Sequence, residues 1–546
     1  MHLESIEISG FRGIKRLSLS FNELTVLIGE NAWGKSSLLD ALCLALSPDA
    51  KFYDFNFSDF HIDHALGNER STEIQIVLHW QEDYEGEHLA RRYRGFQPFL
   101  IDKDGIKHFY YQIHSHIEND KIITKRQFLQ LDGHGITHED TDKFIRQLMV
   151  LHPIVRIRDA RRLHEDGHEF HQDQPPAQTQ KEARVQRRLD NTCRRLMTHP
   201  GHVSTAEIKS SITTLRSLVD HYFAFAPHQR SKDHSIHYQS IHNSNPFDQL
   251  IQPAMTKQAR LMLMSLLNEY IRARGPVELK RISRPIMILE DPEGRLHPIM
   301  LHQAWAFIQS MPMQKILTTN SPELLSSAPL TAIKKLIRQP HKTEVYGVDH
   351  GELNKDDTRK VTFHVRMHRP SAFFARVWLL VEGETEVWLF NEMARLNGYN
   401  LAAEGIQIIE FAQSGLKPLI KLAKLLGIEW HLVADGDPAG KKYADKVRNM
   451  LGDDPERVRL TVLPARDIEH FLYRNGYEAL FRQLANVSAN NPLPMKKIIY
   501  KALRKNAKPD MALAIVQYTQ EERDERIPLL IRWVLKRIIA MARGFG

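Results

Sequence analysis

The sequence predicts an α/β protein with two separate sheets, a helical insertion and a helical carboxyl-terminal region. Two observations carry that prediction. The first is a Gly-rich loop, Gly29-Glu30-Asn31-Ala32-Trp33-Gly34-Lys35-Ser36, set between an apolar strand and an amphipathic helix. The second is a βαβαβ pattern near the carboxyl end whose strands terminate in carboxylates. These are Glu382-Gly383-Glu384-Thr385-Glu386, after Val377–Val381, and Asp435-Gly436-Asp437, after 430–434.

The elements follow in order. Leu3–Ile8 and Leu17–Phe21 alternate apolar and polar residues, as half-buried strands do. Leu24–Ile28 is nearly continuous in apolar character, which fits a central strand. The loop comes next, then helical spacing from Ser36 to Leu46, stopped by Ser47-Pro48. Thr72–Trp80 alternates again. From about 161 to 245 His, Arg, Gln and Asp dominate, and Asp173-Gln174-Pro175-Pro176 reads as a linker. Ser204–Phe223 has helical spacing, so this stretch is expected to be a polar helical insertion. Thr256–Tyr270 predicts an apolar helix, and Pro285–Leu289 and Lys315–Thr319 predict buried strands. Val458–Leu463 predicts the last strand of the acidic unit. The tail is helical and basic, with Lys496, Lys497, Lys501, Arg504, Lys505 and Lys508. The expected domains are 1–160 and 251–370 for the two parts of a head, 161–250 for a dimerising insertion, 371–475 for the acidic domain and 476–546 for the tail.

Bulk properties narrow the class. A chain of 546 residues exceeds a single core. Lys and Arg number 74 against 66 Asp and Glu, a modest basic excess compatible with a polyanionic partner. Two cysteines, Cys43 and Cys193, rule out thiolate zinc sites and a disulfide scaffold, and Cys43 among leucines is expected in the core. With no signal-peptide pattern at Met1–Ser5 and no long apolar run, the expectation is a reduced, cytoplasmic protein with no membrane segment.

The Gly-rich loop fits G-x-x-x-x-G-K-[ST] in full. Its backbone N–H groups and the following helix amino terminus suit phosphate oxygens. Lys35 would reach the β/γ-phosphates, and the Ser36 hydroxyl would ligate Mg²⁺. The carboxylate such a site needs lies at the end of Ile286–Leu289. Glu290 would hold Mg²⁺ and Asp291 would polarise the attacking water.

In the acidic unit, Asp435 and Asp437 stand two apart at a strand end, with Gly436 removing bulk between them. Glu382 ends its strand and Glu386 lies about one turn into the next helix. Oxygen-only donors suit Mg²⁺ or Mn²⁺. Asp467 and Glu469 could complete a second ion site, and two metals stabilise attacking and leaving oxygens in phosphodiester cleavage. Weaker signals are His164, His168 and His171, read as polar linker, and Arg156, Arg158, Arg161 and Arg162, read equally as phosphate contacts to nucleic acid or ATP and as a solvated face or intersubunit salt bridges.

Phe11-Arg12-Gly13, Glu290-Asp291-Pro292-Glu293 with Leu296-His297-Pro298, and Ile316–Glu323 resemble an ABC-type ATPase head of the recombination-repair and SMC class. The resemblance implies ATP bound between two copies, with Arg12, Ser37 and Asn320 joining the loop residues around it. The chain departs from that class in the order Glu290-Asp291, in Asn320 at the switch-histidine position, and in lacking a recognisable signature loop before Thr256. Slow turnover is therefore expected. Glu382-x-x-x-Glu386 with Asp435-x-Asp437 resembles a TOPRIM domain. Head and TOPRIM together, without a long coiled coil, resemble the OLD (overcoming lysogenization defect) family of ATP-dependent endonucleases, in its YbjD-like branch. That resemblance implies a homodimer cutting DNA with Mg²⁺ or Mn²⁺ through Glu382, Asp435 and Asp437, with Lys508 as the candidate catalytic lysine. It also leaves open RNA as substrate, and an ATP-gated sensor with a protein partner in a defence system.

Overall fold

The computed structural model describes residues 1–63, 69–157, 283–295, 302, 305, 309, 313–488, 490–520 and 527–544, with the backbone alone at 294–295 and 508–509. The insertion at 161–250, the helix expected at Thr256–Tyr270, Leu296-His297-Pro298, Cys193, the residues Arg158, Arg161, Arg162, His164, His168 and His171, and the Lys508 side chain lie outside the described residues. The chain divides into two compact units, Met1–Val345 and Tyr346–Gly546.

The first unit is built on one mixed sheet. Its strands are β1 (His2–Phe11), β2 (Ile14–Ser20), β3 (Leu24–Ile28), β6 (Glu73–Gln81), β7 (Ile101–Lys103), β8 (Ile106–Glu118), β9 (Lys121–Leu129), β10 (Gly135–Ile136), β11 (Ile154–Ile157), β12 (Ile286–Glu290), β13 (Lys315–Thr318), β14 (Ile333–Arg338) and β15 (Thr343–Gly347). A small separate hairpin pairs β4 (Ile62–Asp63) with β5 (Glu69–Arg70). The sheet order is β10-β9-β8-β6-β1-β2-β15-β14-β3-β13-β12-β11, with β7 beside β8. One half is parallel: β3 pairs with β13 and β14, β13 with β12, and β12 with β11. Of those strands β3, β12, β13 and β14 are almost wholly buried, as parallel strands covered on both faces must be, while β11 at the sheet edge is half-buried. The other half is antiparallel, and β6 alternates buried and open residues along its length.

The expected strand–strand–strand–loop–helix start is present, with the helix at Lys35–Ala45. The sequence reading overlooked the β8–β9 hairpin, although its turn carries a signal. Asn119 and Asp120 both adopt positive φ, 49° and 59°, in the turn between two long runs. Cys43 differs from expectation: it is only partly buried, packing on the edge of the core while Arg156 Nη1 approaches its Sγ at 4.0 Å.

The second unit holds a four-stranded parallel sheet in the order β17-β16-β18-β19, made of β16 (Val377–Val381), β17 (Ile406–Glu410), β18 (Glu429–Ala434) and β19 (Leu460–Val462). Every residue of β16 is buried. Helices Met495–Lys505, Lys508–Gln520 and Leu529–Arg543 follow, and apolar residues from all three share a core with β16 and the helix Glu384–Leu396. This is the expected parallel α/β domain with a helical tail. No described helix is long and apolar enough to cross a membrane.

Candidate nucleotide and metal sites

In the first unit, the loop from Gly29 to Ser36 links β3 to the helix Lys35–Ala45. Gly34 takes φ 93° at the helix start, and a Cβ there would sit 3.0 Å from Ile14 Cγ1. Gly29 has φ 147°, and a Cβ there would lie 2.8 Å from the Leu336 carbonyl oxygen. Both glycines are thus required by conformation and space. Asn31, Ala32 and Ser36 are exposed at the loop tip, while Trp33 is buried beneath it. Ser37 accepts from the Gly13 N–H at 3.2 Å, which ties the loop helix to the β1–β2 turn. The Lys35 ammonium donates to the Gly29 carbonyl and lies 3.5 Å from Asn320 Oδ1.

Glu290 ends β12 and is held by Arg156, whose Nε and Nη2 reach Glu290 Oε2 at 3.1 and 2.8 Å. The same guanidinium donates to Asp40 on the loop helix. Asp40 also pairs with Arg12 at 2.5 Å, and Arg12 Nε donates to Asp59 at 2.9 Å. Arg156 is therefore an intrachain clamp between the loop helix and the acidic strand end. Asp291 adopts φ 44°, a left-handed conformation that costs energy outside glycine. Its N–H donates to the Thr318 carbonyl at 3.1 Å, and the Thr318 hydroxyl donates to Asp291 Oδ1 at 3.1 Å.

Glu293 is a residue the sequence reading passed over. It accepts from the Asn320 N–H at 2.6 Å and from the Thr319 hydroxyl at 3.0 Å. Burial pushes its carboxyl above the usual range, against the Asn320 N–H that holds it down. The only sequence signal was its place in Glu290-Asp291-Pro292-Glu293.

In the second unit the acids stand at the carboxyl ends of parallel strands. Val381 pairs with Glu410 and Leu380 with Leu432, so Glu382 and Asp435 leave neighbouring strands at the same end of the sheet. Gly436 brings the third strand into register with them. Its N–H donates to the Ala465 carbonyl at 2.9 Å, and a Cβ on it would fall 2.3 Å from Ala465 O and 2.6 Å from Leu463 O. Only glycine lets the 435–437 turn nest against the 463–465 segment that leads to Asp467. Gly440 is equally confined, its absent Cβ facing Asp435 O at 2.1 Å.

Three acids also do local structural work. Asp437 caps the helix Pro438–Arg448 by accepting from the Gly440 N–H at 2.6 Å. Glu386 reaches back to the Gly383 N–H at 3.1 Å. Asp467 caps the helix Ile468–Leu472, accepting from the His470 N–H at 2.8 Å with His470 Nδ1 at 2.5 Å. These contacts fix the carboxylate rotamers, and each carboxylate has a second oxygen. His470 and Glu410, which forms an ion pair with Arg369 at 3.3 Å, are further site neighbours that the sequence did not single out.

The electrostatics place Glu382, Glu386, Asp435, Asp467 and Glu469 in one locality, without Asp437. The Asp435 carboxyl is pushed up to about 8 by burial first, then by Glu386, Glu382, Asp467 and Glu469. Glu469 is raised too, by burial and by Asp467 and Glu386, against a backbone hydrogen bond that lowers it. Yet among the described residues no three His, Cys, Asp or Glu side chains form a ready-made metal cage. The two findings differ in range: charge repulsion reaches farther than coordination. All the donors are oxygens, the set that Mg²⁺ and Mn²⁺ prefer. Lys508 opens the helix Lys508–Gln520.

Residues 1–372 match the family described as "Protein of unknown function (DUF2813)", and 373–437 match the "Overcoming lysogenization defect protein-like, TOPRIM domain". Over 554 aligned residues the chain is 39% identical to the uncharacterized protein YbjD of Escherichia coli (strain K12), covering 100% of both. It is 21% identical to "Endonuclease GajA" of Bacillus cereus (strain VD045), over 83% of this chain and 78% of that one. The solved C-terminal region of the Xanthomonas campestris pv. campestris OLD protein is 17% identical, covering 32% of this chain and 97% of that one at a TM-score of 0.28.

Proposed function

The chain belongs to the YbjD-related DUF2813 family that carries an OLD-like TOPRIM domain, and from that premise we propose that it is an ATP-regulated, divalent-metal-dependent DNA endonuclease. The observation that carries the proposal is geometric: Glu382 and Asp435 leave neighbouring parallel strands at the same end of the sheet, and the 435–437 turn nests on the segment leading to Asp467, a crowding that also raises the Asp435 carboxyl. Such crowding is unfavourable on its own and is relieved by a cation. A relative similar along most of this chain is named as an endonuclease, which agrees with it.

In this reading Glu382, Asp435 and Asp437 would hold the first Mg²⁺ or Mn²⁺, with Glu386, Asp467 and Glu469 available for a second. The bound cations would supply an activated water and neutralise charge on the phosphodiester. Asp435 would have to be deprotonated to serve as a ligand there, so metal binding would release a proton. The helix caps at Asp437 and Asp467 hold one carboxylate oxygen each and leave the other for the site. Lys508, at the start of its helix, would steady the leaving oxygen.

The head would comprise 1–160 and 251–370, with the 161–250 insertion aiding dimerisation, ahead of a TOPRIM domain at 371–475 and a tail at 476–546. Lys35 would exchange the Gly29 carbonyl for nucleotide phosphates, and Glu290 would turn from Arg156 toward Mg²⁺ at Ser36. Asp291, fixed by Thr318, would orient water. ATP then governs assembly or access, since phosphodiester hydrolysis is itself downhill.

A plasmid-nicking assay tests the reading. Asp435→Ala/Asp437→Ala should lose Mn²⁺-dependent nicking and keep ATP binding. Lys35→Ala should lose ATP binding and retain much of the bare metal-dependent nicking. Nicking by the double aspartate variant at the wild-type rate would remove the nuclease assignment.

A further inference from the structure

We infer that the outward face of the helix Met495–Lys505 is the surface on which the second unit holds the backbone of duplex DNA. The inference deepens the proposed nuclease reading and rests on it for the identity of the polyanion. The helix turns Ile498, Ile499 and Ala502 into the core it shares with Phe471, Leu472 and Tyr477. At 3.6 residues per turn the opposite face carries Lys496, Lys497, Tyr500, Lys501 and Arg504, all exposed. Tyr500 is 64% exposed in the middle of the four cations. No Asp or Glu occurs anywhere from 479 to 509, so no acid of this stretch offsets them.

Location gives the face its meaning. The helix packs on Ile468–Leu472, which begins at Asp467 and carries Glu469. A cluster of carboxylates repels a phosphodiester at short range. A cationic strip on a helix packed against the one that carries Glu469 offsets that repulsion for a polyanion long enough to reach both. Lys496 to Arg504 spans about 12 Å along the axis at ~1.5 Å per residue. That is longer than one nucleotide triphosphate and matches roughly three to four phosphates at ~3.4 Å per step of one strand. A membrane surface fits less well, because the apolar side of the helix is already buried and only Tyr500 would be left to insert. A phosphate backbone needs only cations and a hydroxyl donor, which these residues supply.

The test uses the full chain in EDTA, so that nothing is cut, with a fluorescent DNA duplex and salt varied from ~50 to ~200 mM. Binding anisotropy is compared for the wild type, for Lys496→Gln/Lys497→Gln/Lys501→Gln/Arg504→Gln, for the three Lys→Arg changes that keep the charge, and for the exposed control Arg359→Gln/Lys360→Gln. Each phosphate that no longer meets a cation lowers the salt slope by ~0.9. The four-Gln variant should therefore show a slope smaller by about 2 to 4 and at least ~10-fold weaker binding at the low-salt end. The Lys→Arg and control variants should bind as the wild type does. An unchanged slope in the four-Gln variant overturns the inference, as does a wild type that binds no duplex. So does dependence on these cations for anionic vesicles (phosphatidylserine and phosphatidylcholine) but not for DNA. Plasmid nicking by Asp435→Ala/Asp437→Ala at the wild-type rate would overturn the nuclease reading and leave the surface standing, because the surface is read by binding in EDTA.

Discussion

Replacing Asp435 by Asn should make the metal-free protein more stable at neutral pH while removing its response to divalent cations. The Asp435 carboxyl sits at about 8 against an ordinary value of 3.8. The folded chain therefore keeps a proton that the unfolded chain gives up between about pH 4 and 8. Stability is full below pH 4 and declines as pH rises through that window. The difference of about 4 pKa units corresponds to a ceiling of ~6 kcal/mol at ~1.36 kcal/mol per unit. Asp435 is only half-buried, so solvent screening reduces this to about 2–3 kcal/mol. For a unit of this size that is on the order of 5–10 °C in Tm. Scanning fluorimetry at pH 5 to 8.5, with and without Mg²⁺, reads both effects. The wild type should lose Tm as pH rises without metal and regain it with metal, because the cation binds only the folded site. Asp435→Asn should be flatter in pH and indifferent to Mg²⁺. A variant less stable than wild type at pH 8 without metal would refute the crowding argument, and an undiminished Mg²⁺ shift would refute Asp435 as a ligand.

Other outcomes follow from the same geometry. Gly436→Ala forces a methyl group into two backbone carbonyls, so it should cost about 1–3 kcal/mol in urea unfolding and weaken Mn²⁺ binding, measured by titration calorimetry. Arg156→Ala takes away the cation shared by Asp40 and Glu290 and should destabilise the head by about 3 kcal/mol in denaturant melts, whereas Arg156→Lys keeps the charge, loses the fork and recovers only part. Glu293→Gln removes an ionisable group beside Asn320, so any ATPase activity should lose the limb of its pH profile due to that carboxyl while ATP affinity changes less than threefold.

Much of the architecture was legible because local pattern and chemistry coincided. The run Leu24–Ile28, the Gly-rich loop and the helix after it form one phosphate-binding unit whose parts are adjacent in sequence. Likewise Val377–Val381 and 430–434 are apolar runs that end on acids, and the structure makes both buried parallel strands. The illegible parts depend on residues far apart in the chain. Arg156 finds Asp40 across 116 positions and Glu290 across 134, so nothing nearby distinguishes a clamp from a phosphate ligand. Glu293 acquires its partners from the loop after β13. Gly436 was expected merely to reduce bulk between two aspartates, whereas the structure shows it fitting the carbonyls of Leu463 and Ala465. Glu386 and Asp437 are expected as ligands, and both also satisfy helix amino termini, a role the sequence offers for Glu386 but not for Asp437. The β8–β9 hairpin was missed because its turn uses Asn119-Asp120 without glycine, a weaker sign of the same left-handed backbone.

Anomalous scattering from crystals soaked in Mn²⁺ addresses the central claim most directly. The account predicts a peak at the carboxyl ends of β16 and β18, within ~2.3 Å of oxygens from Glu382 and Asp435, with room for a second near Asp467 and Glu469. Well-ordered side chains in the second unit with no manganese among them, in crystals whose head carries a manganese-bound nucleotide, would contradict it.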